Sequence, residues 1–190
     1  MFIWLAIIAV TVFLDQITKY LTILYLKPID TLPLITDVIH LTYLENKGAA
    51  FGMMKDARWL FMLISTVAIV GILVYMLWKR PTSKLLCTAL SLIVGGGIGN
   101  MIDRTLLGYV VDMIDFRLIN FAVFNVADSF VCVGAGLMML YLILDMVRES
   151  KAEKARAAAA ATEVPTEVQT EVPSEPSEEP SKEPSKEVDS

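Results

Sequence analysis

Histidine and cysteine are nearly missing from this 190-residue chain: His40 stands alone, and the two cysteines, Cys87 and Cys132, have no metal-ligand spacing. No zinc set can be assembled from them. No Ser–His or Cys–His arrangement is on offer for nucleophilic catalysis either, and His40 lacks a nucleophile near it in the sequence. Both cysteines read as small apolar core residues. Charge is scarce too, at 19% of residues, where a soluble domain carries about a quarter. A basic stripe with interleaved aromatics is absent, so no nucleic-acid partner is expected. The charge that exists is unevenly placed. Residues 151–190 hold 5 Lys+Arg against 10 Asp+Glu and carry the whole formal charge of −5, whereas residues 1–150 hold 11 of each.

What is present is apolar length: 55% of the residues are hydrophobic and the mean hydropathy is +0.59. A membrane-spanning helix needs roughly 20 mostly apolar residues. Four stretches qualify: Phe2–Leu26, interrupted by Asp15, Gln16 and Lys19; Trp59–Trp78, without a charge; Leu85–Ile102, glycine-rich toward its end; and about Phe121–Val147, with Asn125, Asp128 and Ser129 in its first two turns. A cleavable leader over Phe2–Leu14 would need a basic start and an A-x-A-like site, and has neither, so a retained first span is expected. Lys79, Arg80 and Lys84 fill the connection between spans two and three, and Arg148, Lys151, Lys154 and Arg156 follow span four. The positive-inside rule then sets both termini in the cytoplasm and residues 27–58 and 103–120 on the opposite side. Residues 1–150 form one four-span domain. Residues 151–190 form a Pro/Ser/Glu/Lys-rich cytoplasmic tail, with Val164–Ser190 too poor in apolar residues to fold and read as a solvated spacer. Ala157–Ala161 extend the last helix by a turn or two.

The informative residues are the ionisable ones, because each costs roughly 2.5–3.5 kcal/mol at mid-span unless it is paired or lines a wet cavity. Asp15 and Lys19 stand four apart on one helix face, about 20 and 26 Å along the first span from its inner end at 1.5 Å per residue. They either neutralise each other or prop a site near the outer surface. Around Asn46 and Gly48, in Tyr43–Gly52, small residues flank an amide, as in a turn or a close backbone approach. In Gly95–Arg104, Gly95 and Gly99 are spaced for tight helix packing, and Asn100, Asp103 and Arg104 share one face. Tyr109–Phe116 alternates like a short strand, with Asp112 and Asp115 on opposite faces. Asp128, one to two turns inside span four with no nearby Lys or Arg, is either an ordinary N-terminal helix acid or half of an acid pair that shares a proton. Asp112, 16 residues upstream, is its natural partner, and two carboxylates sharing one proton can activate a water.

The segments D15-Q-I-T-K19, N46-K-G-A-A-F51, G95-G-G-I-G-N-M-I-D-R104, V110-V-D-M-I-D-F116 and F124-N-V-A-D128, in this order, resemble the lipoprotein signal peptidases (signal peptidase II). The resemblance covers about residues 12–130 and departs at no key motif position; the tail lies outside it. It implies an all-α membrane protein of the bacterial plasma (inner) membrane, with four transmembrane helices and a small sheet and amphipathic helix over the outer surface. It implies an aspartic endopeptidase that cuts diacylglyceryl-modified prolipoproteins on the N-terminal side of the lipidated cysteine. By motif, Asp112 and Asp128 would be catalytic, while Asp15, Lys19, Asn46, Gly48, Asn100, Asp103, Arg104 and Asn125 would shape the site and hold substrate. No metal or other cofactor is implied. Membrane lipid and globomycin-type inhibitors are the further partners, and a monomer is expected.

Three other readings of the same residues stay open on the sequence. An ion or proton relay could use Asp15, Lys19, Asp103 and Asp128, although these lie toward one membrane face and no inverted repeat is visible. An intramembrane protease of the presenilin type would need aspartate where Asn100 follows Gly97-Ile-Gly99. A hard cation could sit among Asp112, Asp115 and Asp128.

Overall fold

The computed structural model describes residues 2–48 and 58–162 of the chain. Helix α1 (Phe2–Leu21) runs into a single π turn, Thr22–Leu26. Helix α2 (Arg58–Lys79) carries its only charges at its two ends. Helix α3 (Lys84–Leu106) starts at Ser83, whose side chain accepts the Leu86 N–H as an N-cap. Helix α4 (Val126–Thr162) completes, among the described residues, four helices long and apolar enough to cross a membrane. Half of the apolar window of α3 is buried, against 6% for α2 and α4. Thus α3 is the central helix, and the faces of the others are left for lipid, where a helix satisfies its own backbone.

Three strands, β1 (Thr31–Ile35), β2 (Ile39–Asn46) and β3 (Val110–Asp115), form an antiparallel sheet in the order β1-β2-β3. One face of it, with Tyr43, Tyr109, Val111 and Met113, packs on Ile23 and Leu26 at the end of α1. The architecture is helical with one small sheet, as expected. The strand read over Tyr109–Phe116 is present, and its two acids part company: Asp112 is 1% exposed, while Asp115 accepts from Thr42 and Arg117.

The fourth span starts later than expected. It begins at Val126 rather than Phe121, because Phe124 is drawn into an isolated bridge with Ile114 and Asn125 caps the helix. At its other end the helix runs on past Val147 to Thr162, so that Ala157–Ala161 extend it as expected. The chain divides into two compact units, Met1–Glu149 and Ser150–Ser190. The tail expected to be disordered falls largely on residues 163–190, outside the described residues. So do residues 49–57, which hold Ala49–Phe51 of the asparagine motif, Lys55, and the part of the 27–58 segment left for an amphipathic helix.

Candidate active site

The β2–β3 register brings an amide to Asp112. Leu41 pairs with Ile114, but Leu44 pairs with Asp112 and Asn46 with Val110, so β2 holds one extra residue between Leu41 and Leu44. Because side chains alternate faces along a strand, that bulge turns Leu44 and Asn46 to the face that carries Asp112. Asn46 Nδ2 then donates to Asp112 Oδ2 at 2.9 Å, and Gly48 N–H donates to Asn46 Oδ1 at 3.0 Å, fixing which way the amide points.

Asp128 enters from the other side, in the first turn of α4. Asn125 Oδ1 accepts the Asp128 N–H at 2.9 Å and Asp128 Oδ2 accepts the Asn125 N–H at 3.2 Å, a reciprocal capping box. Asp128 is therefore the third residue of its helix, not one to two turns deep. It is not unpartnered either, since Asn100 Nδ2 donates to its Oδ1 at 2.8 Å. With its oxygen held by the cap, Asn125 directs Nδ2 to Asp112 Oδ1 at 2.7 Å and to Asn100 Oδ1 at 3.0 Å. One buried amide thus joins the two acids. Burial pushes the Asp112 carboxyl up to about 6; the charge on Asp128 adds to this, while the Asn46 and Asn125 donors oppose it.

Behind the acids lies a charge cluster that fixes α1 against α3. Lys19 Nζ meets Asp15 Oδ2 at 2.9 Å and Asp103 Oδ2 at 3.0 Å, all three side chains at most 3% exposed. It also donates to Asn100 Oδ1 at 2.8 Å, which leaves the Asn100 Nδ2 for Asp128. The opposite charges of Asp15 and Lys19 lie against each other, and Lys19 reaches on to Asn100 beside Asp128. Asp15 Oδ1 accepts Ala127 N–H at 2.9 Å and Asp103 Oδ2 accepts Val111 N–H at 3.0 Å. The cluster so pins the helix turn beside Asp128 and the strand residue beside Asp112. Gly99 is needed where it is, because a Cβ there would strike the Asp15 carboxylate, and one at Gly96 would lie 2.5 Å from Ala127 O. Arg104 Nη1 donates to Asn100 O at 3.3 Å and lies in the field of Asp128, Asp112 and Asp103.

All ten residues singled out by sequence are thus assembled around one centre. One participant was passed over: Gln16 Nε2 donates to Asp103 Oδ1 at 3.0 Å and to Asp15 Oδ2 and Gly99 O, each at 3.2 Å. Its signal was the desolvation penalty of an amide in an apolar span, overshadowed by the charges at Asp15 and Lys19. The cation reading finds no support in the arrangement. Asp115 is engaged with Thr42 and Arg117, and among the described residues no three His, Cys, Asp or Glu side chains converge.

The chain as a whole has relatives. Residues 7–144 match the family model described as signal peptidase (SPase) II. A lipoprotein signal peptidase of Caldanaerobacter subterraneus subsp. tengcongensis is 51% identical over 140 residues, 74% of this chain and 94% of that protein. One of Brevibacillus brevis is 45% identical over 142 residues, 73% and 93% of the two chains. A solved bacterial membrane enzyme superposes with a TM-score of 0.71 at 30% identity, over 77% of this chain and 90% of that one.

Proposed function

From the premise that the chain belongs to the signal peptidase II family of membrane aspartic peptidases, we propose that Asp112 and Asp128 are the dyad with which it removes signal peptides from prolipoproteins. The observation that carries the assignment is the Asn125 bridge. Its side chain donates to Asp112 while its backbone donates to Asp128, and among the described residues neither acid is paired with a lysine.

The chemistry follows from two acids sharing one proton. The ionised carboxylate takes a proton from water, and the oxygen attacks the scissile carbonyl carbon. The protonated partner gives its proton to the carbonyl oxygen. The tetrahedral intermediate then collapses, the C–N bond breaks, and the leaving amine takes a proton from the dyad. Asn46, Asn100 and Asn125 hold the acids in place through fixed amides, and Arg104 and the capping turn of α4 supply positive potential where the oxyanion develops.

The substrate we propose is a prolipoprotein whose cysteine already carries diacylglycerol, cut on the N-terminal side of that cysteine. The sheet and both acids lie at the ends of α1, α3 and α4 remote from the basic Lys79–Lys84 connection. With that connection in the cytoplasm of a bacterial cell, the site opens at the outer surface of the plasma membrane, and acyl chains stay in hydrocarbon. A single chain supplies both acids and all their donors, which suits a monomer, and inhibitors of the globomycin type would compete as mimics of the intermediate.

The test is cleavage of a synthetic diacylglyceryl-modified prolipoprotein by the purified protein, beside the unlipidated twin and with EDTA present. Wild type should cleave only the lipidated peptide and ignore EDTA. Asp112→Asn and Asp128→Asn should each remove at least three orders of magnitude of turnover while thermal unfolding stays cooperative. Near-normal turnover in either variant refutes the dyad.

A further inference from the structure

We infer that Leu44 is a specificity-determining residue, whose side chain meets an aliphatic side chain of the signal peptide just N-terminal to the scissile bond. The inference rests on the dyad assignment and goes beyond it.

Leu44 is the direct register partner of Asp112 across β2 and β3. Directly opposed residues of an antiparallel pair share a face, with Cβ atoms about 4.5–5.5 Å apart. That they do so here is supported independently by Asn46, two residues along β2, whose amide reaches Asp112 on the same face. The bulge between Leu41 and Leu44 produces this geometry; in an unbroken register Leu44 would oppose Val111 and point to the face packed on α1. Bulges beside active sites commonly re-aim side chains in this way.

Leu44 differs from its neighbours on that face in being left uncovered. Val110 and Asp112 are at most 2% exposed, whereas Leu44 is 42% exposed. A half-exposed aliphatic side chain one strand spacing from a reacting carboxyl will touch whatever is being cut. An extended peptide advances about 3.3 Å per residue, so the partner is one of the three residues preceding the scissile bond. On the other side of that bond stands the lipidated cysteine, whose bulk lies in the acyl chains. That leaves the signal-peptide side for Leu44, and an aliphatic wall selects an aliphatic side chain there.

The experiment uses the full-length protein and diacylglyceryl-modified prolipoprotein peptides in which each of the three residues before the cysteine is, in turn, Leu or Ala. Against wild type, Leu44→Ala should lower kcat/KM about tenfold for Leu at one of the three positions, the scale of discrimination in an apolar pocket. The loss should appear in KM with kcat kept, and Ala at that position should be cleaved as before. Leu44→Phe should reverse the preference toward Ala at the same position. An equal change for every peptide, or no change for any, overturns the inference, because a side chain that only packs or rests on lipid cannot tell the peptides apart. Failure of wild type to cleave any of them would instead refute the proposed activity.

Discussion

At the scale of single residues the site is a problem in directing three amides, because an asparagine has one acceptor and two donor hydrogens and must be told which way to face. Gly48 N–H fixes Asn46, the α4 cap fixes Asn125, and Lys19 fixes Asn100. Each amide then presents Nδ2 to an acid. The Asn46 donor favours the charged form of Asp112, opposing the burial that pushes this carboxyl up to about 6. Asn46→Ala should therefore let Asp112 keep its proton to higher pH. The basic limb of kcat/KM, which reports free enzyme, should move up by about one pH unit, the size expected for losing one hydrogen bond to a charged group. A pH profile of cleavage reads it, and a limb that stays or moves down would mean that Asp112 is not the titrating acid. The sign for stability follows too. A folded carboxyl held above its ordinary value near 4 retains a proton the unfolded chain has lost, so the thermal midpoint should fall as pH rises from about 4 to 6. Much of this was legible in the sequence, since polar residues in apolar spans are few and each must be explained. Gln16 was not, because an uncharged amide stood between two charges that claimed the explanation.

At the scale of elements, the site depends on how closely α1 can approach α3. Gly95 and Gly99 meet Thr11 and Asp15 with no room for a Cβ, which the GxxxG spacing indicated. Gly99→Ala would press a methyl group on the Asp15 carboxylate and 3.0 Å from its Cγ. Overpacking of this kind costs about 1–3 kcal/mol. The loss should show as a lowered thermal midpoint together with reduced cleavage, since Asp15 also holds the Ala127 N–H beside Asp128. Gly136→Ala is the control: nothing lies within 4 Å of that position, and alanine there should leave both readings unchanged or slightly improved. Equal effects from the two substitutions would show that close approach is not what Gly99 provides. The elements themselves were partly readable. Uncharged length gave α2 and α3 nearly whole, because lipid demands helix wherever some twenty apolar residues run together. Apolar length alone starts α4 too early, because Phe121–Phe124 are as apolar as the helix they precede. The Phe124–Ile114 bridge and the Asn125 cap separate them from it. The β2 bulge was invisible, since one extra residue in Ile39–Asn46 leaves no mark in composition.

At the scale of the whole molecule, the sequence holds two regions with nothing chemical in common. The match to the family ends at residue 144, and residues 163–190 hold 9 Asp+Glu and 2 Lys. Their removal turns the formal net charge from −5 to +2. On the proposed topology that charge lies on the cytoplasmic side, and the dyad lies at the outer surface beyond a hydrocarbon layer of about 30 Å. On that topology, with ionic strength screening exposed charges over about 8 Å, no through-space effect of the tail on the acids is expected. Deleting residues 163–190 should therefore leave kcat/KM for a lipidated prolipoprotein within about twofold of wild type, and should leave its pH profile unmoved. The same geometry gives a second readout: protease added outside intact spheroplasts should spare an epitope at residue 190 and remove it once the membrane is opened. Loss of the epitope in intact spheroplasts would invert the topology, and with it the reason the site faces translocated signal peptides. A shifted pH profile with the epitope protected would refute the expectation that the tail leaves the dyad unaffected.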